Sequence, residues 1–262
     1  PQSAAWDTRA LLRRLVLSAT FRQSSATSDA KRTRDPRNEL LARGPSVRLS
    51  AEQLRDSTLF ASGLLVEKLG GPSVKPWQQP GLVAEAGGPG GYTPDTGDAA
   101  HRRSLYTYRK RTVPPPTMLA FDAGSREACM PRRSATNTPL QALLLLNDET
   151  YVEAARALAA SVLTRPGELR SGMDPVSGRD GGRAAEIFRR ATARLPDARE
   201  STALAGLFAR QRARFAADPA AARKLVNVGA SSRGHERDAV ELAAWTVVAQ
   251  TVLNLDEVVT RR

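Results

Sequence analysis

The chain has 262 residues, of which 41% are hydrophobic and only 5% aromatic. That length can bury a substantial core. A core poor in aromatic residues must be built mainly from Leu, Val and Ala, which favours helices over sheets. The net charge is +12 at pH 7, and the basic residues are spread along the chain. Because no helix-turn-helix or zinc-finger pattern accompanies them, we do not predict nucleic-acid binding. No apolar run approaches the ~20 residues that a membrane span needs.

Side chains that bind metals or cofactors are few and poorly spaced. Cys129 is the only cysteine, which excludes an intrachain disulfide. The two histidines, His101 and His235, have no His, Cys or acidic partner at ligand spacing. The sequence also lacks a Cys-x-x-Cys-His haem-attachment motif, a Walker A motif and a Gly-x-Ser-x-Gly motif. We therefore expect no metal site and no cofactor in this chain.

The first 70 residues contain three signals for the start of a helix. Asp and Ser accept hydrogen bonds from the unpaired amides of a first helical turn, and Pro fits that turn. A Ser followed three residues later by Gln forms a capping box. The first predicted start is Asp7, for a helix that runs to about Phe21 and has Leu12, Leu15, Val16 and Ala19 on one face. The second is Asp35-Pro36. The third is Ser50 with Gln53, for a helix that runs to Leu69.

Residues 70–100 form a long loop that is rich in Gly and Pro, and no helix is expected at that density of breakers. A loop of this length without regular structure is either functional or flexible. After it, residues 104–109 favour a short strand with Tyr106 and Tyr108 on one face.

Helices return in the second half of the chain, and Asn137 or Thr138 is expected to cap the first of them. The predicted helices span 139–146, 149–163, 183–194, 197–217, 219–227 and 237–259. We therefore predict a mainly α, irregular multi-helix fold with at most a short β element. Residues 1–164 are predicted to form a helical core, 165–182 a linker, and 183–262 a C-terminal helical bundle that packs on the first part.

Residues 121–141 are the densest polar stretch, and they precede a very apolar helix. Polar groups held against such a helix must be paired, because each unpaired group costs about 1–3 kcal/mol. We therefore expect this segment to fold inward, with Asp122 paired to Arg126 or Arg133.

The same polar segment contains the candidate site. One interpretation is that its ion pairs only fix the loop. The other is a site for an anion or a glycan, at which arginines bind the ligand and two carboxyl groups act as acid and base of a carbohydrate-active or other hydrolase. The sequence leaves open whether the chain is an enzyme. The candidate catalytic residues are Asp122 and Glu127, and the candidate ligand-binding residues are Arg126, Arg132, Arg133, Asn137 and Gln141.

Several segments, taken in order, resemble one family. They are WDTRALLRRLVLSATFRQSS (6–25), RDPRNELLARGPSVRLSAEQLRDSTLFASGLL (34–65), GGPSVKPWQQPGL (70–82), the block from RRSLYTYRK to LQALLLLND (102–148), and NLDE (254–257). Together they resemble the C-terminal domain of unknown function (domain of unknown function 1553, PSD type) of planctomycete-type cytochrome c proteins.

This resemblance implies a context rather than a reaction. Parent proteins of the family are usually exported, which implies the cell envelope or periplasm, and their upstream domains usually include a haem c module. A link to polysaccharide degradation is associational. We therefore expect an accessory domain that docks on upstream domains of the same polypeptide and binds a glycan or another partner. Because the sequence starts at Pro1 without a Met, we interpret it as a fragment.

Overall fold

The computed structural model of the chain describes residues 7–82, 91–110, 113–124, 129–164, 178–231 and 238–261. Over these ranges the fold is mainly α-helical, as predicted, and the only sheet is an antiparallel pair of two-residue strands, β1 (Val47–Arg48) and β2 (Thr260–Arg261). The helices are α1 (Thr8–Leu17), α2 (Asp29–Arg34), α3 (Ala51–Ser62), α4 (Pro116–Ala120), α5 (Pro139–Asn147), α6 (Glu149–Thr164), α7 (Gly178–Thr192), α8 (Ala198–Ala217), α9 (Pro219–Val226), α10 (Ala239–Leu253) and α11 (Asp256–Val259). Of the helices described, none is long and apolar enough to cross a membrane.

The chain divides into two compact units. The N-terminal unit is Pro1–Arg48 with Thr260–Arg262, and the larger unit is Leu49–Val259. Strands β1 and β2 both belong to the N-terminal unit and join its two segments. Helix α7 begins at Gly178, inside the stretch predicted as a linker, and residues 165–177 lie outside the described ranges. The predicted division of the chain at 165–182 stays a prediction.

Helix α10 lies at the centre of the larger unit. Its Trp245, Val248 and Val252 have no exposed surface. A helix that is apolar around most of its circumference has to be buried, and α10 packs against α6, α7, α8 and α9. The Trp245 ring stacks on Phe208 of α8, with 4.1 Å between the ring centroids. The predicted helix 237–259 is interrupted, because α10 ends at Leu253 and α11 follows as a separate turn.

A second, smaller apolar cluster lies where α3, α4, α5 and the start of α6 meet. The rings of Phe121 and Tyr151 contact edge to face within it, with centroids 6.2 Å apart. Helix α6 contributes Tyr151 to this cluster and Leu158 to the main core, so it connects the two. The buried members of the smaller cluster are Ala51, Leu54, Met118, Phe121, Ala123, Leu145, Tyr151 and Val259.

Most of the predicted helix caps are confirmed. Each capping side chain accepts a hydrogen bond from a backbone amide in the first helical turn, which is the interaction that the sequence pattern predicts. The confirmed caps are Asp7 for α1, Ser50 with Gln53 for α3 and Thr138 for α5. Asp218 caps α9 in the same way.

The predicted helix start at Asp35-Pro36 is wrong. The helix in this region is α2, which Ser28 caps and which ends before Asp35. The Asp35 carboxylate instead accepts hydrogen bonds from the amides of Glu39 and Leu40, both at 2.9 Å, and so stabilises a turn. An Asp-Pro pair can either start a helix or stabilise a turn. The outcome depends on which backbone amides the carboxylate can reach.

Two other boundaries differ from the prediction. Helix α3 ends at Ser62 rather than Leu69, because Gly63 adopts a left-handed conformation with φ of 78° and closes the helix. The predicted strand 104–109 is wrong: Ser104–Tyr106 is a 3₁₀ turn, and only Thr107 makes an isolated bridge, with Val74.

Candidate functional site

The polar segment 121–141 does not fold inward as predicted. Its residues 129–137 are all exposed. Asp122 adopts a left-handed conformation with φ of 59°, and its Oδ2 accepts hydrogen bonds from the amide and the hydroxyl of Thr136, at 2.7 and 2.8 Å. Because Thr136 supplies these donors locally, the carboxylate is satisfied at the surface. Asp122 fixes a turn in this segment.

Four of the other candidate residues either lie outside the described ranges or are exposed. Arg126 and Glu127 lie outside the described residues. The distance between the carboxyl groups of Asp122 and Glu127 is therefore not defined. Arg132 and Asn137 are exposed, and Asn137 is not the cap of α5. Their catalytic and ligand-binding roles stay predictions.

Arg133 and Gln141 hold the segment to neighbouring parts of the larger unit. Arg133 Nη1 lies 2.8 Å from Glu52 Oε2 of α3, rather than beside Asp122. Arg109 Nη2 contacts the other Glu52 oxygen at 3.1 Å. Burial raises the pKa of Glu52, but the hydrogen bond from Arg133 and the charges of both arginines outweigh it and lower that pKa. Gln141 is buried, and its Nε2 donates to two oxygens of the protein at 2.9 Å.

A cavity of about 410 Å³ lies in the larger unit, beside the smaller apolar cluster. Sites for small molecules usually have volumes of about 300–1,000 Å³. Helices α3, α4, α5 and α6 supply part of its wall, and the loop residues 76–79 supply another part. The wall is mostly apolar and includes Trp77, Leu82, Met118, Phe121, Leu140, Leu144 and Tyr151.

The two charged side chains in the cavity wall have their partners inside the protein. Arg55 Nη1 donates to the backbone oxygen of Arg102 at 2.9 Å, and Nη2 donates to that of Ala100 at 2.7 Å. Asp148 accepts hydrogen bonds from the Thr117 hydroxyl at 2.7 Å and from a backbone amide of α6 at 3.0 Å. Burial lowers the pKa of Arg55, and nearby acidic groups offset part of that effect. Both charged groups of the cavity wall therefore already have hydrogen-bond partners within the protein.

Side chains of the same wall carry buried donor atoms without a hydrogen-bond partner. Within the described part of the chain, these atoms are Arg55 Nε, Gln78 Nε2 and Thr107 Oγ1. Gln78 and Thr107 are each only 7% exposed. A buried polar group without a partner costs about 1–3 kcal/mol, and native structures contain few of them. Each of these three atoms is also closed to solvent.

A buried histidine–carboxylate pair lies in the same unit and was not predicted from the sequence. His101 Nε2 is 3.3 Å from Glu153 Oε2 of α6, and Glu153 also accepts a hydrogen bond from the Ser231 amide. Burial raises the pKa of Glu153, but these hydrogen bonds outweigh that effect and lower the pKa to about 2. The pair lines a second cavity of about 290 Å³, which shares Trp77 with the first. No three or more His, Cys, Asp and Glu side chains of the described ranges are grouped to bind a metal ion.

The N-terminal unit has a different kind of surface. None of its hydrophobic residues is buried within the described residues 7–48. Its large exposed apolar residues are Leu11, Leu12, Leu15, Val16, Leu17, Phe21, Leu40, Leu41 and Val47. The predicted apolar face of α1 therefore exists but has no partner within this unit.

A comparison with known families assigns the chain to a family. Residues 2–208 match a family model described as a protein of unknown function (DUF1553), which covers well over half of the chain. The chain belongs to that family, PSD1. No curated protein and no solved structure matches it significantly.

Proposed function

We propose that this chain is an accessory interaction domain of a larger, exported bacterial protein, and that its N-terminal unit docks on an upstream domain of the same polypeptide. The family resemblance supports a haem c module among the upstream domains and a location in the cell envelope or periplasm. The observation that carries the docking proposal is the exposed apolar surface of the N-terminal unit, which has no core of its own.

A unit without a core cannot compensate the entropy that its folding removes. Ordering the backbone costs about 1–2 kcal/mol per residue, and burial of apolar surface is the main term that offsets this cost. The N-terminal unit buries no hydrophobic residue within its described ranges. Its helices therefore need a partner surface to become stable, as in segments that fold on binding.

The charges beside the apolar face of α1 indicate what that partner looks like. At about 100° per residue, Leu11, Leu12, Leu15 and Val16 form one stripe, with Arg9 and Arg13 on one side of it and Arg14 on the other. None of the three arginines makes an ion pair within the described chain. Residues 1–48 contain ten Lys and Arg but four Asp and Glu. An apolar groove with an acidic rim is complementary to this surface.

Two other occupants fit this surface less well. A bilayer covers one side of a helix lying in its plane, whereas Leu17, which is 59% exposed, lies on the side of α1 opposite to the stripe. A second copy of the chain carries the same +12 charge, which opposes association through a basic surface. A groove in a protein can enclose both sides of the helix.

The test uses the upstream part of the full-length polypeptide, purified separately, and this chain titrated into it by calorimetry. Burying a Leu contributes about 1.5–3 kcal/mol, so Leu12→Asp should weaken binding at least about tenfold. Arg13→Glu should weaken it too, and added salt should have less effect on this variant than on wild type. Leu195→Asp and Arg212→Glu, at exposed positions of the larger unit, are the matched controls and should bind like wild type.

Failure of the wild-type chain to bind the upstream part would overturn the proposal. So would equal affinities for Leu12→Asp, Leu195→Asp and wild type. Binding to vesicles of anionic phospholipid in place of the upstream part would show that a membrane is the occupant of this surface.

A further inference from the structure

We propose that the 290 Å³ cavity bordered by His101 and Glu153 binds the primary ammonium group of a small organic amine. The site is separate from the docking surface, because every described residue that lines it lies between Trp77 and Ala230, in the larger unit. Its volume is near the lower end of the usual range for ligand sites, so the amine carries one ring or a short chain.

The charged side chains of this cavity wall are acidic. Asp95, Glu149 and Glu153 line the cavity, and no Lys or Arg is among the described residues that line it. Glu149 and Glu153 are four residues apart on α6, so they lie on the same face of the helix. Arg156, 3.9 Å from Glu153 Oε1, offsets one of these charges. The wall is therefore locally negative in a chain of net charge +12, which favours a cation as the ligand.

The Glu149 carboxylate has no partner within the described part of the chain. It is half-buried, and it makes neither a hydrogen bond nor an ion pair there. Burial raises the pKa of Glu149, and the charges of Glu153 and Asp148 raise it further. A ligand cation at this position would supply the missing opposite charge and offset that repulsion.

His101 supplies a hydrogen-bond acceptor to the same cavity. Its Nε2 lies 3.3 Å from Glu153 Oε2, and because an ionised carboxylate can only accept, Nε2 carries the proton. In the neutral ring the lone pair is therefore on Nδ1, which makes no hydrogen bond to the described residues and is not closed to solvent. His101 is only 6% exposed and borders the cavity. A buried ring nitrogen without a partner indicates a ligand that donates an N–H.

Together these groups match a primary ammonium. Such a group has three N–H donors and no acceptor, and the wall offers it carboxylate oxygens and the Nδ1 lone pair. Trp77 adds an indole to the wall, and aromatic faces attract cations. A divalent metal ion would need a group of three or more ligating side chains, and the described ranges contain no such group.

Three probes with the same ring test this chemistry: benzylammonium, benzyl alcohol and benzyltrimethylammonium. The alcohol is neutral, and the trimethyl compound keeps the charge but has no N–H. Hydrogen bonds between charged groups are about twice as strong as neutral ones. Isothermal titration calorimetry with the full chain at pH 8 should therefore give the tightest binding for benzylammonium, at least about tenfold tighter than for either of the others.

Glu149→Gln separates a binding role from a structural one. The variant keeps the shape of the side chain and removes its charge, so benzylammonium affinity should fall about tenfold or more. Its melting temperature should stay level or rise, because the repulsion from Glu153 and Asp148 is removed. Glu67→Gln, at an exposed position outside the cavity wall, is the matched control and should bind benzylammonium like wild type.

Nitrogen NMR of the imidazole rings tests the role of His101. The chain has two histidines, so the ring resonances are few. Benzylammonium should shift the ¹⁵N resonance of His101 Nδ1, because this atom accepts a hydrogen bond in the complex.

Several results would overturn the proposal. They are the absence of benzylammonium binding up to its solubility, equal or tighter binding of either other probe, and an Nδ1 resonance that does not move. Calcium binding that is tighter than benzylammonium binding would make this a metal site instead. A lower melting temperature of Glu149→Gln with unchanged benzylammonium affinity would assign Glu149 to structure alone.

Discussion

Glu153 should make the stability of this domain depend on pH in the acid range. Folding lowers the pKa of this carboxyl group from 4.5 to about 2, because the hydrogen bonds from His101 and Ser231 outweigh the effect of burial. A carboxyl group with a lowered pKa stabilises the fold at pH values above its unfolded pKa, and loses that contribution as the pH falls through its folded pKa. The contribution of Glu153 is therefore complete at pH 7 and disappears between about pH 4.5 and pH 2.

The size of the effect follows from the change in pKa. A fall from 4.5 to about 2 corresponds to about 3 kcal/mol at ~1.4 kcal/mol per unit. Glu153→Gln keeps an oxygen that can accept the Ser231 hydrogen bond but has no charge. We expect this variant to be less stable than wild type by about 3 kcal/mol at pH 7, and the deficit to approach zero near pH 2, where the wild-type carboxyl is protonated too.

Urea unfolding followed by circular dichroism at pH 7, 5, 4, 3 and 2 measures that deficit directly. Glu67→Gln, at an exposed position, is the control, and its deficit should stay below about 0.5 kcal/mol throughout. A Glu153→Gln deficit that is constant over this range, or that grows as the pH falls, would refute the reasoning. Either result would mean that the stability contributed by Glu153 does not require its charged carboxylate.

Three further substitutions test the packing around the two cavities by urea unfolding at pH 7. Arg55→Met leaves the backbone oxygens of residues 100 and 102 without their donor and should lower the free energy of unfolding by about 3–5 kcal/mol. A loss below about 1 kcal/mol would show that these two hydrogen bonds do not stabilise the fold. Gly229→Ala should destabilise more than Gly63→Ala: both have positive φ, but a Cβ at 229 would lie 2.5 Å from Glu153 Cγ, whereas the space at 63 is open. Thr138→Ala should cost about 1 kcal/mol by removing the cap of α5, and unchanged stability would argue against that cap.

The helices were predictable from the sequence because their signals are local. A cap such as Ser50 with Gln53 acts over three residues, so its chemistry can be recognised without knowing the fold. Where two local signals compete, the sequence does not decide. Gly63 and Gly70 both adopt positive φ, and the helix ends at the first of them.

The site could not be predicted in the same way, because its parts come from distant segments. His101 and Glu153 are 52 residues apart, and the cavity combines residues from 51 to 151. The charged segment 121–141 was predicted as a site from its composition alone. Its Asp122 turned out to be satisfied by Thr136, a neighbour whose hydroxyl is not distinctive in a sequence. Gln78 and Thr107 have no unusual sequence context, and only their burial without partners marks them.

The docking proposal is tested most directly by amide hydrogen exchange of α1 and α2, in this chain alone and in the full-length polypeptide. Amides of α10 serve as the internal reference, since its Trp245 and Val248 are fully buried in the core. If the N-terminal unit folds by docking, α1 and α2 should exchange at least about 100-fold more slowly in the full-length polypeptide, while α10 is protected in both. Equal protection of α1 in the two forms would contradict the proposal.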